Sequence, residues 1–257
     1  MSDAAIPSPT TTTSVQKLTE ICIKAVATLG YGDEEAATLV DCMLAAQLRD
    51  NNQGIIKITT GALNKSPQET APQIVHETPV SARIDGGNSL AMSVLAQAVE
   101  LAADKAKQSG IGLVTTSNTP NSTGYLGWYV KRLARQDLIG VVLAQSPEFV
   151  APFGASQPIF GTNPIAISIP APAGQEPVTL DMATSAYALF GLLEAKTAGA
   201  AIPDNVAYDA AGNATTDPAA ALAGAIRVFD RSHKSSGLAL MVELLAGAGA
   251  AGCSIED

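Results

Sequence analysis

Histidine is nearly absent from this chain: 257 residues carry two, His76 and His233. That scarcity narrows every general acid–base proposal, because imidazole is the side chain that most readily exchanges a proton near neutral pH. Charge is sparse as well, at 15% Asp, Glu, Lys and Arg, and the basic share is the smaller, with 15 Lys and Arg against 24 Asp and Glu. A net charge of −9 argues against a nucleic-acid partner, whose affinity rests on cations neutralising phosphates. No apolar run approaches the ~18 to 20 residues that cross a bilayer, so no membrane span is expected. The longest candidate, residues 238–251, holds Glu243 and several glycines.

Cysteine is equally thin. Cys22, Cys42 and Cys253 show neither CxxC nor Cys/His spacing, which excludes a disulfide framework and a zinc site. They read as thiols of a reducing compartment, and a cytoplasmic location is expected. Residues 1–13, MSDAAIPSPTTTT, lack the basic region and apolar core of a secretory signal and read as a disordered polar tail.

A hydrophobic content of 47% suffices for a sizeable core in one large or two interlocked domains. Ser14 is placed to cap a helix reaching Leu29 and stopping at Gly30, and Asp33 to cap a second reaching about Arg49. His76, among Pro72, Glu77 and Pro79, reads as a solvated histidine in an irregular stretch. Residues 90–108 read as a helix and 111–116 as a buried strand; 125–136 and 138–144 repeat that order. The alternation predicts an α/β fold, a layered mixed sheet with a small N-terminal helical region. The expected division is a tail at 1–13, a helical and substrate region at 14–88, and an α/β region at 89–257. Beyond this, 184–198 reads as a helix, 199–216 as an extended polar loop, Asp217-Pro218 as the start of a short helix, and 238–246 as the last helix.

Two polar turns interrupt apolar runs. Gly161-Thr162-Asn163-Pro164 separates Ile159-Phe160 from Ile165–Ile169, and Val178-Thr179-Leu180 delivers Asp181 toward a strand end, where α/β sheets bind ligands. Gly247-Ala248-Gly249-Ala250-Ala251-Gly252 has the letters of the GxGxxG dinucleotide fingerprint but follows a helix, so it reads as a helix terminus. His233-Lys234, ahead of an apolar helix, either favours an anion or simply caps. Asn121–Tyr125 binds a polar ligand or caps the helix after it, and Asn51–Gly54 is amide-rich or an ordinary helix stop.

Taken in order, Gly124-Tyr125-Leu126-Gly127-Trp128-Tyr129, Leu138-Ile139-Gly140, Ser146-Pro147, Gly161-Thr162-Asn163-Pro164, Asp181-Met182-Ala183-Thr184-Ser185, Thr216-Asp217-Pro218 and His233-Lys234 with Gly237-Leu238 resemble the malate/L-lactate dehydrogenase family. The resemblance runs from about residue 15 to 252. It implies a non-Rossmann cofactor site, NAD or NADP as cofactor, and a 2-hydroxy acid, 2-keto acid or cyclic imino acid as small-molecule substrate. It also implies a homodimer. By position, Ser146, Asp181, Met182, Ala183, His233 and Lys234 would contact the dinucleotide, while Arg49, Thr162 and Asn163 would line the substrate pocket. Asp181 would also stand among the catalytic groups.

The chain departs from the family where proton transfer is concerned. The family's Asp-Ser-His-Gly is Asn51-Asn52-Gln53-Gly54 here, and its second histidine falls at Ser122. Gln53 and Ser122 thus hold catalytic positions without imidazole chemistry. The family also continues past the helix ending near Ala246, so a C-terminally shortened form is expected, with apolar surface left open on that helix. Three readings follow: an oxidoreductase in which Asp181, Lys234 or water delivers the proton, a dinucleotide-binding or regulatory homologue that has lost catalysis, or a structural or non-functional fragment. No clustered His, Asp and Glu spacing supports a metal-dependent hydrolase.

Overall fold

The computed structural model describes residues 12–249. The tail expected at the N-terminus falls mostly on residues outside these, as do Cys253 and Gly252. The Ser14 side chain accepts the Lys17 N–H at 3.2 Å and opens α1 (Val15–Ala27). In α2 (Asp33–Gln47) the cap differs from expectation. Gly32 holds the capping position, and Asp33 is the first helical residue, grouped with Glu34 and Glu35 where acidic charge suits the positive end of the dipole.

A short turn, α3 (Ile56–Thr59), precedes a hairpin of β1 (Gln73–Glu77) and β2 (Ser81–Asp85). His76 therefore lies on an exposed strand and not in an irregular stretch. The cause is the Thr78 hydroxyl, which accepts the Ser81 N–H at 2.9 Å and folds the chain back on itself. Helix α4 (Ala91–Ser109) leads to β3 (Leu113–Ser117), which pairs parallel to β2. That pairing joins the segments on either side of residue 88 in one sheet.

Helix α5 (Leu126–Ala134) is followed by β4 (Gly140–Leu143) and, after β5 (Val150–Ala151), by β6 (Ile165–Ile169) and β7 (Val178–Met182). Strands β4, β6 and β7 form an antiparallel sheet with β7 at its edge. Strand periodicity decides its two faces. Val142, Ala166 and Asp181 share one face, whose Val142 and Ala166 are buried in the core with α5; Val141, Ile167 and Leu180 share the other.

Helix α6 (Leu189–Ala198) starts later than the sequence suggests. Residues 184–188 are tied instead to a neighbouring strand, with Ser185 bridging Val228 and the Ala186 N–H donating to the Arg227 carbonyl at 2.6 Å. The stretch 199–216 is likewise more ordered than a polar loop. It holds the hairpin of β8 (Ala207–Tyr208) and β9 (Ala214–Thr215), closed by Asp209 Oδ1, which accepts the Ala211 and Asn213 N–H groups at 2.9 Å. Asp217 caps α7 (Pro218–Ala223), and β10 (Ala225–Arg227) pairs with β5 and β8. The last helix, α8 (His233–Gly249), begins five residues before Leu238 and runs through Gly247 and Gly249.

The α/β class is as expected, and the strands of the described residues lie in three small sheets. Three buried clusters hold them among the described residues, the smallest being Ile84, Val94 and Ala98 between α4 and the β1–β2–β3 sheet. Val26, Leu39, Met43, Met92, Leu126 and Tyr129 knit α1, α2, α4 and α5 together. Val150, Phe160, Leu192, Ile226 and Ala239 join β5, α6, β10 and α8. Each such buried side chain contributes roughly 1.5–3 kcal/mol relative to exposure.

Candidate functional site

The two positions that lack histidine meet. Ser122 Oγ donates to Gln53 Oε1 at 2.9 Å, although 69 residues separate them. Each has local support: the Gln53 N–H donates to Asn51 Oδ1 at 2.9 Å, and Ser122 Oγ accepts the Gly124 N–H at 3.1 Å. The pair stands at the entrance to α5.

Asp181 reaches the same helix end. Because β7 alternates, Asp181 faces α5 and its Oδ2 accepts the Gly127 N–H at 2.6 Å, in the first turn. Burial pushes its carboxyl above the usual aspartate range, and the Gly127 hydrogen bond pulls the other way. Met182 closes β7 opposite Ile165, on the edge strand, so alternate backbone groups along Asp181 and Met182 point away from β6.

Three residues after Asp181 the chain enters a second group, within about 11 Å of it by the reach of extended backbone. Thr184 Oγ1 donates to the Asn163 carbonyl at 3.0 Å, and the Thr184 N–H to the Thr162 carbonyl at 2.9 Å. Ser146 Oγ accepts the Thr162 N–H at 2.9 Å. A Cβ on Gly161 would collide with the Ser146 carbonyl and hydroxyl, which is why glycine precedes Thr162. Asn163 is fully buried with φ of 36°, and its Nδ2 donates to Glu243 and to the Ala239 carbonyl, the latter at 3.3 Å. Its Oδ1 has no partner. Glu243, also buried, accepts from Gln145 as well.

These bonds anchor α8, and its N-terminus carries His233 and Lys234, both exposed. Lys234 stands five residues before Ala239, about 7.5 Å along the helix axis. Asp230 organises that end. Its carboxylate accepts the Ser232 N–H at 2.9 Å and the Ser232 and Ser235 hydroxyls, which hold it down at about 2. The acid is thereby occupied within the turn, while Arg231, His233 and Lys234 present cationic or imidazole groups to solvent. In a chain of net charge −9, that donor set at a helix N-terminus fits a phosphate-bearing ligand.

Arg49 reaches toward Tyr125, at the start of α5. Its guanidinium lies 6.0 Å from the Tyr125 ring centroid and its Nη1 donates to the Ala45 carbonyl at 2.8 Å. With Asp41, Trp128, Lys131 and Arg135 it lines a groove of about 360 Å³ between α1, α2 and α5. A different cation lies under the Gln53 segment. Lys57 is 1% exposed, its Nζ has no hydrogen-bond partner, and the ring of Phe190 on α6 covers it at 4.0 Å. Burial lowers its ammonium to about 8, against a smaller opposing effect of the Cys42 thiol. The sequence signal was Ile55-Ile56-Lys57-Ile58, a lone charge set in an apolar run.

The description Malate/L-lactate dehydrogenase belongs to the family model that matches residues 13–254. The chain belongs to that family. It is 36% identical over 240 residues to an L-sulfolactate dehydrogenase of Methanocaldococcus jannaschii, covering 90% of this chain and 68% of the relative. It is 34% identical over 225 residues to a Delta(1)-pyrroline-2-carboxylate/Delta(1)-piperideine-2-carboxylate reductase of Pseudomonas putida, covering 85% and 65%. Over 174 residues it is 46% identical to an L-sulfolactate dehydrogenase of Methanothermobacter thermautotrophicus, covering 68% of this chain and 50% of that one. The crystal structure of delta1-piperideine-2-carboxylate reductase from Pseudomonas syringae superposes with a TM-score of 0.83 at 32% identity, covering 95% of this chain and 74% of that one. The chain thus spans about half to two thirds of the length of these curated relatives. The family's turns at 161–164 and 181–185 are here the segments bonded to one another and to α8.

Proposed function

We propose that this family member is an NAD(P)-dependent oxidoreductase acting on a small 2-hydroxy or 2-keto acid or a cyclic imino acid. The observation that carries the reading is the meeting of Gln53, Ser122 and Asp181 at the start of α5, one short segment from the Ser146–Thr162–Asn163 turn and α8. Relatives named for sulfolactate, malate and pyrroline-2-carboxylate, one of them for NADP(+), support the substrate and cofactor classes.

His233 and Lys234 would hold the diphosphate, with the α8 dipole behind them. Ser146, Asp181, Met182 and Ala183 would orient the remainder, and Thr162 and Asn163 would shape the wall. When bound, the dinucleotide supplies or accepts the hydride. Gln53 and Ser122 would orient the substrate's polar group by hydrogen bonding, since neither side chain titrates near neutral pH. Arg49 remains a candidate for the pocket's outer wall.

A homodimer belongs to the same proposal, supported by the exposed apolar face carrying Val141, Ile169, Val178 and Leu180. A cytoplasmic setting is supported by Cys22 and Cys42, which are buried free thiols. Among the described residues no helix is long and apolar enough to cross a membrane.

Oxidation of NADH or NADPH by the purified chain with oxaloacetate, sulfopyruvate, pyruvate and cyclic 2-imino acids tests the reading. Turnover above background with at least one is expected, and none with any would overturn it. The alternative, a dinucleotide-binding homologue without catalysis, is favoured by the Ser122–Gln53 bond itself, in which neither partner can exchange a proton. Calorimetry showing cofactor affinity with silent kinetics would establish it.

A further inference from the structure

We propose that Lys57 is the proton donor of the reductive reaction, standing in for the imidazoles that this chain lacks. The inference rests on the oxidoreductase reading above and deepens it.

The position of Nζ is the first argument. Lys57 lies four residues after Gln53, and its backbone N–H donates to the Gly54 carbonyl at 3.3 Å. Its head group lies near the buried Cys42 thiol, whose surroundings include Tyr125 and Tyr129, while Phe190 follows the 181–188 corner on α6. The segment that carries Gln53 and the helix that follows the 181–188 corner thus meet at this ammonium. The second argument is its lack of a partner. A buried ammonium with three donors ordinarily forms hydrogen bonds or an ion pair, and among the described residues this one has no hydrogen-bond partner and an aromatic face at 4.0 Å. A carbonyl or imine compound displacing Phe190 would supply the missing acceptor. The third is the chemistry of the surroundings. The titratable groups around it are the Cys42 thiol of α2 and, behind it, Tyr125 and Tyr129 of α5, with Asp41 beside Cys42 and Asp181 beyond Tyr125. Among the described residues no carboxylate is bonded to Nζ. Burial brings the ammonium to about 8, where it is charged at neutral pH and still able to release a proton.

In the reductive direction a bound NAD(P)H would supply a hydride to the substrate C2 as the C=O or C=N π bond breaks. Its electron pair goes to the oxygen or nitrogen, which takes a proton from Nζ. The neutral amine then regains a proton from water.

Calorimetric titration of the whole chain with oxamate at pH 8.5, with NADH or NADPH present and in buffers of different ionisation enthalpy, reads the group without turnover. An anion beside Nζ raises its affinity for a proton, so uptake of about half a proton or more per site is expected. Lys57→Arg keeps the charge and loses the titration. It should bind oxamate within about 3-fold of wild type with no uptake, and its reductive kcat should fall on the order of 100-fold with loss of the pH limb near 8. Lys57→Met, which suits the apolar surroundings, should lose both binding and turnover. A Lys57→Arg protein with wild-type kcat and an unchanged pH limb would make Lys57 a charge only and overturn the proposal, as would oxamate binding without proton uptake in wild type. Proton uptake with no turnover of any acid or imine would leave a ligand site at Lys57 but sink both the catalytic step and the oxidoreductase reading. Turnover that survives Lys57→Arg sinks the catalytic step alone.

Discussion

Ser122 donates its hydroxyl hydrogen to the Gln53 carboxamide at 2.9 Å, so two positions 69 residues apart hold each other where the family places imidazoles. The bond is neutral at both ends. On the proposed function, placing an imidazole there by Gln53→His should therefore add a titratable group beside the reacting centre. We expect reductive kcat to rise on the order of 10-fold, with a new limb in the imidazole range near 6.5. Steady-state kinetics between pH 5 and 9 would register it, and a variant that folds normally with an unchanged profile would place residue 53 away from the chemistry.

Asp181 gives a second prediction, on stability. Burial raises its carboxyl in the folded state, so the folded protein is favoured while the group is protonated and that contribution is lost as pH rises through the raised value. The loss begins just above the ordinary aspartate value of 3.8. Asp181→Asn keeps an acceptor for the Gly127 N–H and should lack this pH dependence, whereas Asp181→Ala should cost about 1 kcal/mol by baring the first turn of α5. Thermal melts of the three proteins from pH 4 to 7 compare the slopes directly.

How much of this was readable in the sequence follows from range. Helix α7 was legible because Asp217-Pro218 is a complete local start signal, and α1 because Ser14 caps it within three residues. The α8 start was not, since the Ser232–Lys234 segment looks like a polar loop until the Asp230 carboxylate is seen bonding Ser232 and Ser235. The segment 184–188 was assigned to α6 on its composition, and only the tertiary bridge from Ser185 to Val228 keeps it extended. The motifs named the turns at 161–164 and 181–185, but that Asn163 would turn toward Glu243, 80 residues away, depends on where α8 packs. Lys57 is not legible in the sequence because a single lysine carries no motif; its burial depends on α2 and α6, which are distant in the chain.

The buried Lys57 ammonium predicts a pH effect of opposite sign to that of Asp181. Its folded value of about 8 lies below the 10.5 of the free side chain, so the unfolded chain binds more protons between those values and folding should strengthen as pH rises across them. By the linkage relation the gain is about 3 kcal/mol. Cys42, pushed up to about 12 by burial, works against it above pH 9, so the quantity to read is the difference between wild type and Lys57→Met. Urea unfolding at pH 7 and pH 10 should show that difference shrinking as the amine neutralises. A constant difference would mean that the ammonium carries no desolvation penalty.

Leu180 tests the open face of the β4–β6–β7 sheet. It lies opposite Ile167, which in turn lies opposite Val141, and all three project away from α5. Leu180→Lys places a charge in the middle of that face without touching the α5 side, so it should convert a dimer to a monomer with little change in intrinsic fold. Light scattering and circular dichroism together distinguish dissociation from unfolding. A wild-type monomer at micromolar concentration would remove the dimer from the proposal.

Asn163 ties the 161–164 turn to α8 and predicts a large loss on substitution. Its Nδ2 bonds the buried Glu243, and its backbone sits at φ 36°, in the left-handed region that asparagine tolerates better than alanine. Asn163→Ala removes one partner from a buried carboxylate and adds backbone strain, for a cost of about 3 kcal/mol. For a chain of this size that is a fall in Tm of about 6–12 °C. Asn163→Gly separates the terms, because glycine accepts the backbone angle but leaves Glu243 equally bare. If the two variants melt together, the hydrogen bond to Glu243 dominates; if glycine recovers most of the loss, strain does. In either case the Thr162 and Thr184 contacts depend on this turn, so cofactor affinity should fall alongside stability, and calorimetry below the melting range would report it.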